Sequence, residues 1–356
     1  MIRAIRNTSV SVNRLLPEVL SRVLGYRTCE RDLLAATHAC QYWRSTLTSA
    51  PSLWTCLQFK SGHDLDRAHT YLERSKSTLI NVSMDYDSSW GNKVLDYIGP
   101  HIARTRSLII QGSYVFHPAY LLFCNPAPLL QHLEIHGRQG FVHLFDNFLV
   151  RRAPSLRSVS FDGVCPTFEA PLPLHDLTDF SLYLPESRDL FRMGALFRFF
   201  SGCPKLRKIR INIPNETFQD IAQGQVILLE LLVELEYAQN PGGRALPHLK
   251  VPRLKQLRVS SSLEPGQVQK LANILPHDGR ALLAGTTKML YYSKEHSLKV
   301  DLSGNGVSLS FVALCTRQNH PLVDWYLDQT CIPFGQIEDL IVEGCFLINF
   351  PINLLT

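Results

Sequence analysis

Apolar residues near the N-terminus recur at helical spacing. Leu16, Leu20, Val23 and Leu24 stand at i, i+4, i+7 and i+8, one face of a helix. Pro17 suits the first turn, where a missing N–H costs nothing, and Glu18 complements the positive helix end. Gly25 offers a stop and Thr28 an N-cap for a second helical stretch. There Ala36, Cys40, Trp43 and Leu47 recur at i, i+4, i+7 and i+11, with Leu33 and Leu34 near its start. Pro51 ends the helical region. The pattern predicts about three short helices in roughly 40 residues, a size at which a core is marginal alone. Such a unit needs a partner, or the rest of the chain as a cap needs it, to cover its apolar surface.

Downstream the period changes. A unit Pro-x-Leu-x-x-apolar-x-apolar begins at Pro128, Pro154, Pro204 and Pro252. Copies without proline are Leu79/Val82/Met84, Thr105/Leu108/Ile110, Leu177/Phe180/Leu182, Leu232/Leu235/Tyr237 and Ile337/Leu340/Val342. In so apolar a chain the triplet alone arises by chance at about one start in eleven, so the spacing carries the claim. Starts at 79, 105, 130, 156, 177, 206, 232 and 254 are separated by 21 to 29 residues. That is the range of leucine-rich repeats, which the segment resembles. Helix-capable stretches at 140–149 and 194–200 fit a helical return after each strand. The resemblance implies a solenoid with a parallel sheet along its concave side. The Asn or Cys common five residues after the second apolar position is mostly absent; only Asn240 and Cys345 fit. Residues 260–335 fit the repeat poorly and are expected to be irregular. Strands are expected at 288–292 and 298–302, with a turn over 301–306.

The N-terminal string also resembles the F-box, the motif that joins a substrate receptor to a cullin–RING ubiquitin ligase through a Skp-type adaptor. The family pattern is Leu-Pro-x-Glu-(Ile/Val)-Leu, an apolar pair, Leu-Leu, Val-Cys-Arg-x-Trp-Arg, then Leu-Trp. This chain has Leu16-Pro17-Glu18-Val19-Leu20, Val23-Leu24, Leu33-Leu34, Ala39-Cys40-Gln41-Tyr42-Trp43-Arg44 and Leu53-Trp54. It lacks the residue between Pro and Glu, and Gln41 stands where Arg is common. The resemblance spans residues 15–57. It places Leu16, Pro17, Leu20, Val23, Leu24, Leu33, Leu34, Trp43 and Leu47 in or beside the adaptor interface.

The expectation is thus an α/β chain. Residues 1–12 form a flexible lead-in, 13–60 a three-helix F-box, and 61–356 an irregular leucine-rich-repeat-like solenoid. Its 356 residues leave room for more than one domain. A hydrophobic content of 45% supports a core. The net charge of +5, from 36 basic and 31 acidic residues, is too diffuse to imply nucleic acid. No apolar run is long enough to span a membrane, and Met1 to Asn7 lack the apolar stretch of a secretory signal. Nine scattered cysteines without Cys-x-x-Cys imply neither a disulfide framework nor a zinc site. Reduced thiols fit the cytoplasm or nucleus.

Catalytic motifs are missing: no Gly-x-Ser-x-Gly, His-Glu-x-x-His, Walker loop or Gly-x-Gly-x-x-Gly occurs. His132 and His136 are four apart without a third ligand. Asp85 and Asp87 read as solvated turn residues. No enzyme activity, cofactor or metal is expected. The resemblance implies a substrate-recognition subunit that holds the adaptor at one end and a protein substrate at the other. Two rivals stay open: a repeat scaffold acting outside a ubiquitin ligase, and a degenerate enzyme on another α/β fold.

Strand residues alternate faces, so positions two, four and six after the first Leu of each repeat should line the concave surface. That places Lys208 and Arg210 one strand from Glu234 and Glu236, for cross-strand pairing or for recognition. His132, His136, Tyr183 and Arg258 are the expected substrate contacts, since aromatic and Arg side chains dominate interface hot spots. Leu156, Ile209, Leu235 and Leu257 are expected in the core.

Overall fold

A computed structural model describes residues 10–26, 30–86, 89–112, 125–137, 142–144, 153–166, 168, 174–184, 191–213, 216–217, 220–221, 225–239, 245–263, 275–277, 279–294, 297–315 and 336–344. The chain divides into two compact units, 1–133 and 134–356. It is mixed α/β, and among the described residues no helix is long and apolar enough to cross a membrane.

The first unit opens with α1 (Pro17–Gly25), α2 (Glu30–Ala39) and α3 (Gln41–Thr48). Pro17 occupies the first turn of α1, after an extended Leu16. The predicted second helical stretch is split at Cys40, whose backbone is extended. Its thiol accepts the Trp43 N–H at 3.5 Å, a weak N-cap for α3. Ser11 and Val12, expected in the lead-in, lie in a 3-10 turn, Ser11–Arg14. The indole of Trp43 donates to Asn13 Oδ1 at 2.6 Å, and the Tyr42 hydroxyl donates to the Leu15 carbonyl, tying this turn to α3. Thr28 lies outside the described residues.

The helices are not a separate module that closes at residue 60. Trp54, in the 3-10 turn Pro51–Trp54, is fully buried against α4 (Asp64–Ser75). Leu57 and Phe59 are buried in a strand the sequence reading missed, β1 (Cys56–Phe59). β1 pairs in parallel with β2 (Ile80–Tyr86), and β2 with β3 (Thr105–Gly112). α4 connects β1 to β2, and α5 (Gly91–Ile98) connects β2 to β3. At the first residue of α4, the Asp64 carboxylate accepts the Lys60 and Ser61 N–H groups at 2.7 and 2.8 Å. Burial pushes its pKa up, but these bonds and Arg67 outweigh it, leaving it below the usual range. Its contribution to stability is therefore present above the ordinary carboxylate range and lost as pH falls below it.

Beyond α4, Lys76 takes φ 51° and ψ −125°, a region that costs a non-glycine residue about 1–3 kcal/mol. Arg104 holds this corner. Its guanidinium donates to the carbonyls of Lys76, Thr78 (3.0 Å) and Leu72 (3.3 Å) and to the Ser75 hydroxyl (3.1 Å). The arrangement satisfies carbonyls that the end of α4 leaves open. Lys76→Gly keeps all four acceptors and removes the strain, so it should stabilise the protein by about 1 kcal/mol. A higher urea midpoint is the expected reading; an unchanged or lower one would place the strain elsewhere.

The second unit runs β4 (His132–Gly137, which begins at the boundary), β5 (Val142–Leu144), β6 (Ser158–Asp162), β7 (Val164–Pro166), β8 (Asp179–Tyr183) and β9 (Phe191–Arg192). It continues with α6 (Met193–Ser201), β10 (Lys208–Asn212), β11 (Glu216–Thr217), β12 (Ile227–Leu228), β13 (Glu234–Gln239), β14 (Leu249–Lys250) and β15 (Gln256–Leu263). Last come α7 (Gly279–Leu283), β16 (Lys288–Lys294), β17 (Ser297–Gly304), β18 (Val307–Cys315) and β19 (Asp339–Gly344). In the main sheet the order is β4-β6-β8-β10-β13-β15-β18-β17-β16-β19. Neighbours from β6 to β15 pair in parallel, each repeat aligned with the next: Val159, Phe180, Ile209, Leu235 and Leu257 form one transverse row. Leu156, Ile209, Leu235 and Leu257 are buried, as their spacing requires.

The return legs differ from expectation. Residues 142–144, within a stretch read as helix-capable, form β5, which pairs with β7; most of 140–149 lies outside the described residues. β9–β11 and β12–β14 are further short parallel pairs. Only α6, over the predicted 194–200 stretch, is a helical return longer than five residues among those described in this unit. Ahead of the first pair, Gly163, at φ 65°, lies so close to Gly137 that a Cβ would stand 2.5 Å from its carbonyl oxygen. α6 covers the sheet's apolar face with Phe199 and Phe200, whose rings meet Phe180 of β8, the first tilted and the second edge-on. Its N-terminus is capped by Asp220, which accepts the Gly194 and Ala195 N–H groups at 3.1 Å each.

The expected strands and turn in 260–335 are present, but their pairing breaks the repeat. β16, β17 and β18 form an antiparallel meander, and β18, not β16, lies in parallel beside β15. β19 then pairs in parallel with β16 on the far side. The β17–β18 turn is Asn305-Gly306, both at positive φ (47° and 78°), as a two-residue hairpin of primed type requires. The sheet is therefore mixed rather than wholly parallel.

Candidate functional site

Two surfaces stand out, one in each unit. The first lies on α1. Leu20 is 1% exposed, while Leu16, Val19, Val23 and Tyr26 are 66, 43, 59 and 81% exposed. These four stand at i, i+3, i+7 and i+10, a stripe that runs beside the buried Leu20. Val10 and Val12 are also exposed, so six of the eleven exposed large apolar side chains among the described residues fall within residues 10–26. Scattered exposed apolar residues are ordinary, but a concentrated patch marks an interaction surface.

The expected adaptor contacts separate by burial. Leu16, Pro17 and Val23 are exposed, and Leu24, Leu34 and Trp43 are half-buried. Leu20, Leu33 and Leu47 are buried within the chain's own core and have no surface to offer a partner. Their helical spacing was real, but it marked the inward face. Val19 and Tyr26 were missed, although they continue the period from Leu16.

The second surface is the polar face of the main sheet in the second unit. The predicted cross-strand pairs form. Lys208 Nζ lies 2.6 Å from Glu234, and the guanidinium of Arg210 lies 3.6 Å from Glu236. Of the expected substrate contacts, Arg258 lines a cavity of about 660 Å³ on this face, while Tyr183 is exposed on β8 and does not. His136 sits between two carboxylates, 3.3 Å from Glu134 and 3.4 Å from Asp162. It lies five strands from Arg258, about 24 Å at the usual strand spacing. His132 is half-buried at the end of the first unit. The structure thus does not gather the four into one site.

The cavity lies between β10 and β19 and mixes charge with apolar surface. Its cations are Lys208, Arg210, Arg258, Lys288 and Lys299, and its anions Glu234, Glu236, Asp301 and Asp339. Three pairs close one to one: Lys208–Glu234 at 2.6 Å, Lys288–Asp339 at 2.7 Å, and Lys299–Asp301. The hydrogen bond to Asp339 and its charge hold the Lys288 ammonium above its ordinary pKa. That leaves Glu236 between Arg210 at 3.6 Å and Arg258 at 3.8 Å, both longer than a hydrogen bond. The excess positive charge of the cavity is therefore concentrated on these two guanidiniums. On the adjoining strands Asp301 Oδ1 and Ser310 Oγ are buried without a hydrogen-bond partner. Such groups are uncommon in folded proteins and call for an explanation. Arg258 was expected from the sequence, whereas Asp301 and Ser310 belong to strands that leave the repeat, and Ile341 stands in the copy beginning at Ile337, whose strand pairs with β16.

Among the described residues no three His, Cys, Asp or Glu side chains are placed to hold a metal ion. Burial pushes the Cys203 thiol up to about 12, so it stays protonated and unreactive at neutral pH. No protein-family model and no curated protein matches the chain.

Proposed function

We propose that the chain is the substrate-recognition subunit of an SCF-type cullin–RING ubiquitin ligase. The three N-terminal helices act as an F-box that binds a Skp-type adaptor. The strand repeats form an irregular leucine-rich-repeat-like solenoid that binds a protein substrate. The protein performs no chemistry and needs no cofactor; it raises the effective concentration of substrate beside a separate ubiquitin-transferring enzyme. It would act in the cytoplasm or nucleus. The observation that carries this reading is the uncovered stripe Leu16, Val19, Val23 and Tyr26, in the segment whose residues resemble the F-box.

The test uses the whole chain, because a cut at residue 60 would strip α4 from Trp54. Co-expressed with a Skp-type adaptor, the parent should co-purify with it. Leu16→Asp with Val23→Asp should weaken capture about 100-fold, by desolvating two charges in an apolar contact. Both positions are exposed, so the melting temperature should hold within about 2 °C. A parent that does not retain the adaptor, or a double variant that retains it equally, would remove the proposal.

A further inference from the structure

Within the reading of this protein as a substrate receptor, and resting on it, we infer that recognition centres on the cavity between β10 and β19. The ligand is an extended protein segment that places an anionic side chain, carboxylate or phosphate monoester, on Arg210 and Arg258.

The charge arrangement selects the ligand. The other ion pairs of the cavity are closed at 2.6 to 2.7 Å or tighter, while Arg210 and Arg258 share Glu236 at 3.6 and 3.8 Å. Both arginine side chains are more than half exposed, at 53 and 59%. They keep donors and net charge available, and a guanidinium fork suits a carboxylate or phosphate. A cationic segment would meet two arginines for one glutamate.

The neighbouring strands extend the site. Arg258, Ser310, Asp301, Leu290 and Ile341 are successive register partners across β15, β18, β17, β16 and β19. The unpartnered Asp301 Oδ1 and Ser310 Oγ thus follow directly after Arg258. The row ends on Ile341, which is 52% exposed. From Arg258 to Ile341 is four strand spacings, about 19 Å. An extended chain covers that in about five or six residues. The ligand therefore carries an apolar side chain about five or six positions from its acidic one.

Glu236 makes the proposal distinctive. It competes with the ligand for both arginines, so removing its charge should strengthen binding, whereas a glutamate that merely braced the strands would weaken binding when lost. The test is an immobilised array of acetylated, amidated peptides of about ten residues on a Gly-Ser background. Each carries one Glu, phosphoserine, Gln or Lys, with one Leu about three to eight positions away. The full-length protein should be retained by the Glu or phosphoserine peptides, best at a Leu spacing of about five or six. Comparison of those two arms identifies the source of the anion. Arg258→Gln should lower retention about tenfold and Glu236→Gln raise it severalfold. No retention, equal retention by the Gln and Lys peptides, or a fall with Glu236→Gln would overturn the inference. The adaptor reading fails separately, since co-purification through α1 reads Leu16 and Val23 and the array reads Arg258 and Glu236.

Discussion

Trp54→Ala should destabilise the first unit by about 3–5 kcal/mol, against a total stability of about 5–15 kcal/mol for a typical domain. The indole has no exposed surface. It meets the Tyr71 ring edge-on, with centroids 4.9 Å apart and planes at 86°. Arg74 places its guanidinium over the ring, 4.3 Å from the centroid. The indole N–H donates to the Leu47 carbonyl at 2.8 Å, joining α3 to the turn that carries Trp54. Alanine removes the packing, the cation–π contact and the bond together. Trp54→Phe keeps an aromatic ring and loses the donor, so its cost should be smaller, about 1–3 kcal/mol. Urea unfolding of both variants checks the order. Trp54→Ala should also reduce adaptor capture, because α1 packs on the same core. That loss would follow the loss of fold, whereas Leu16→Asp with Val23→Asp should lose capture while the fold holds. A tryptophan replaced at a cost below about 1 kcal/mol would mean that the helices do not rest on α4 as described.

In the second unit the largest effect should come from Phe180→Ala, at about 3–5 kcal/mol. Phe180 is 1% exposed, in β8, flanked in parallel by β6 and β10. Its ring lies 6.2 Å from Phe168, 5.3 Å from Phe199 and 5.4 Å from Phe200. The first and last of these are edge contacts, the geometry that aromatic quadrupoles favour. Truncation leaves a cavity bounded by rings on α6 and by a main-chain sheet, neither of which can close over it. Phe180→Leu fills most of that space and should cost about half as much or less. A midpoint shift equal for Ala and Leu would show that the site relaxes around the loss.

The repeat was legible because its period is local. Ile209 and Ile211 face one side of a strand by alternation alone, and with Leu206 ahead of the strand the same offsets recur at Leu232 and Leu254. Equal offsets bring equal positions into register, so the pairing of Lys208 with Glu234 could be foreseen from numbering. The meander could not. β18 enters between β15 and β17 out of chain order, and no local pattern in residues 297–315 says which strand they will lie beside. The cavity therefore stayed hidden, since Asp301, Ser310 and Ile341 reach Arg258's row only through that order.

The N-terminal helices show the same division. Alternating demands of helix period, proline at a first turn and the Asn305-Gly306 hairpin are written in neighbouring residues, and so the sequence by itself determined that these elements form. It also determined that α1 carries more apolar surface than one face can bury. Which side turns inward was decided only by tertiary packing. Leu20, Leu33 and Leu47 went to the core, and Leu16, Val19, Val23 and Tyr26 were left outside, because burial depends on what the rest of the chain brings to each face. Local torsional preference selects elements; the long-range contacts that assign their faces and neighbours exist only once the chain has folded.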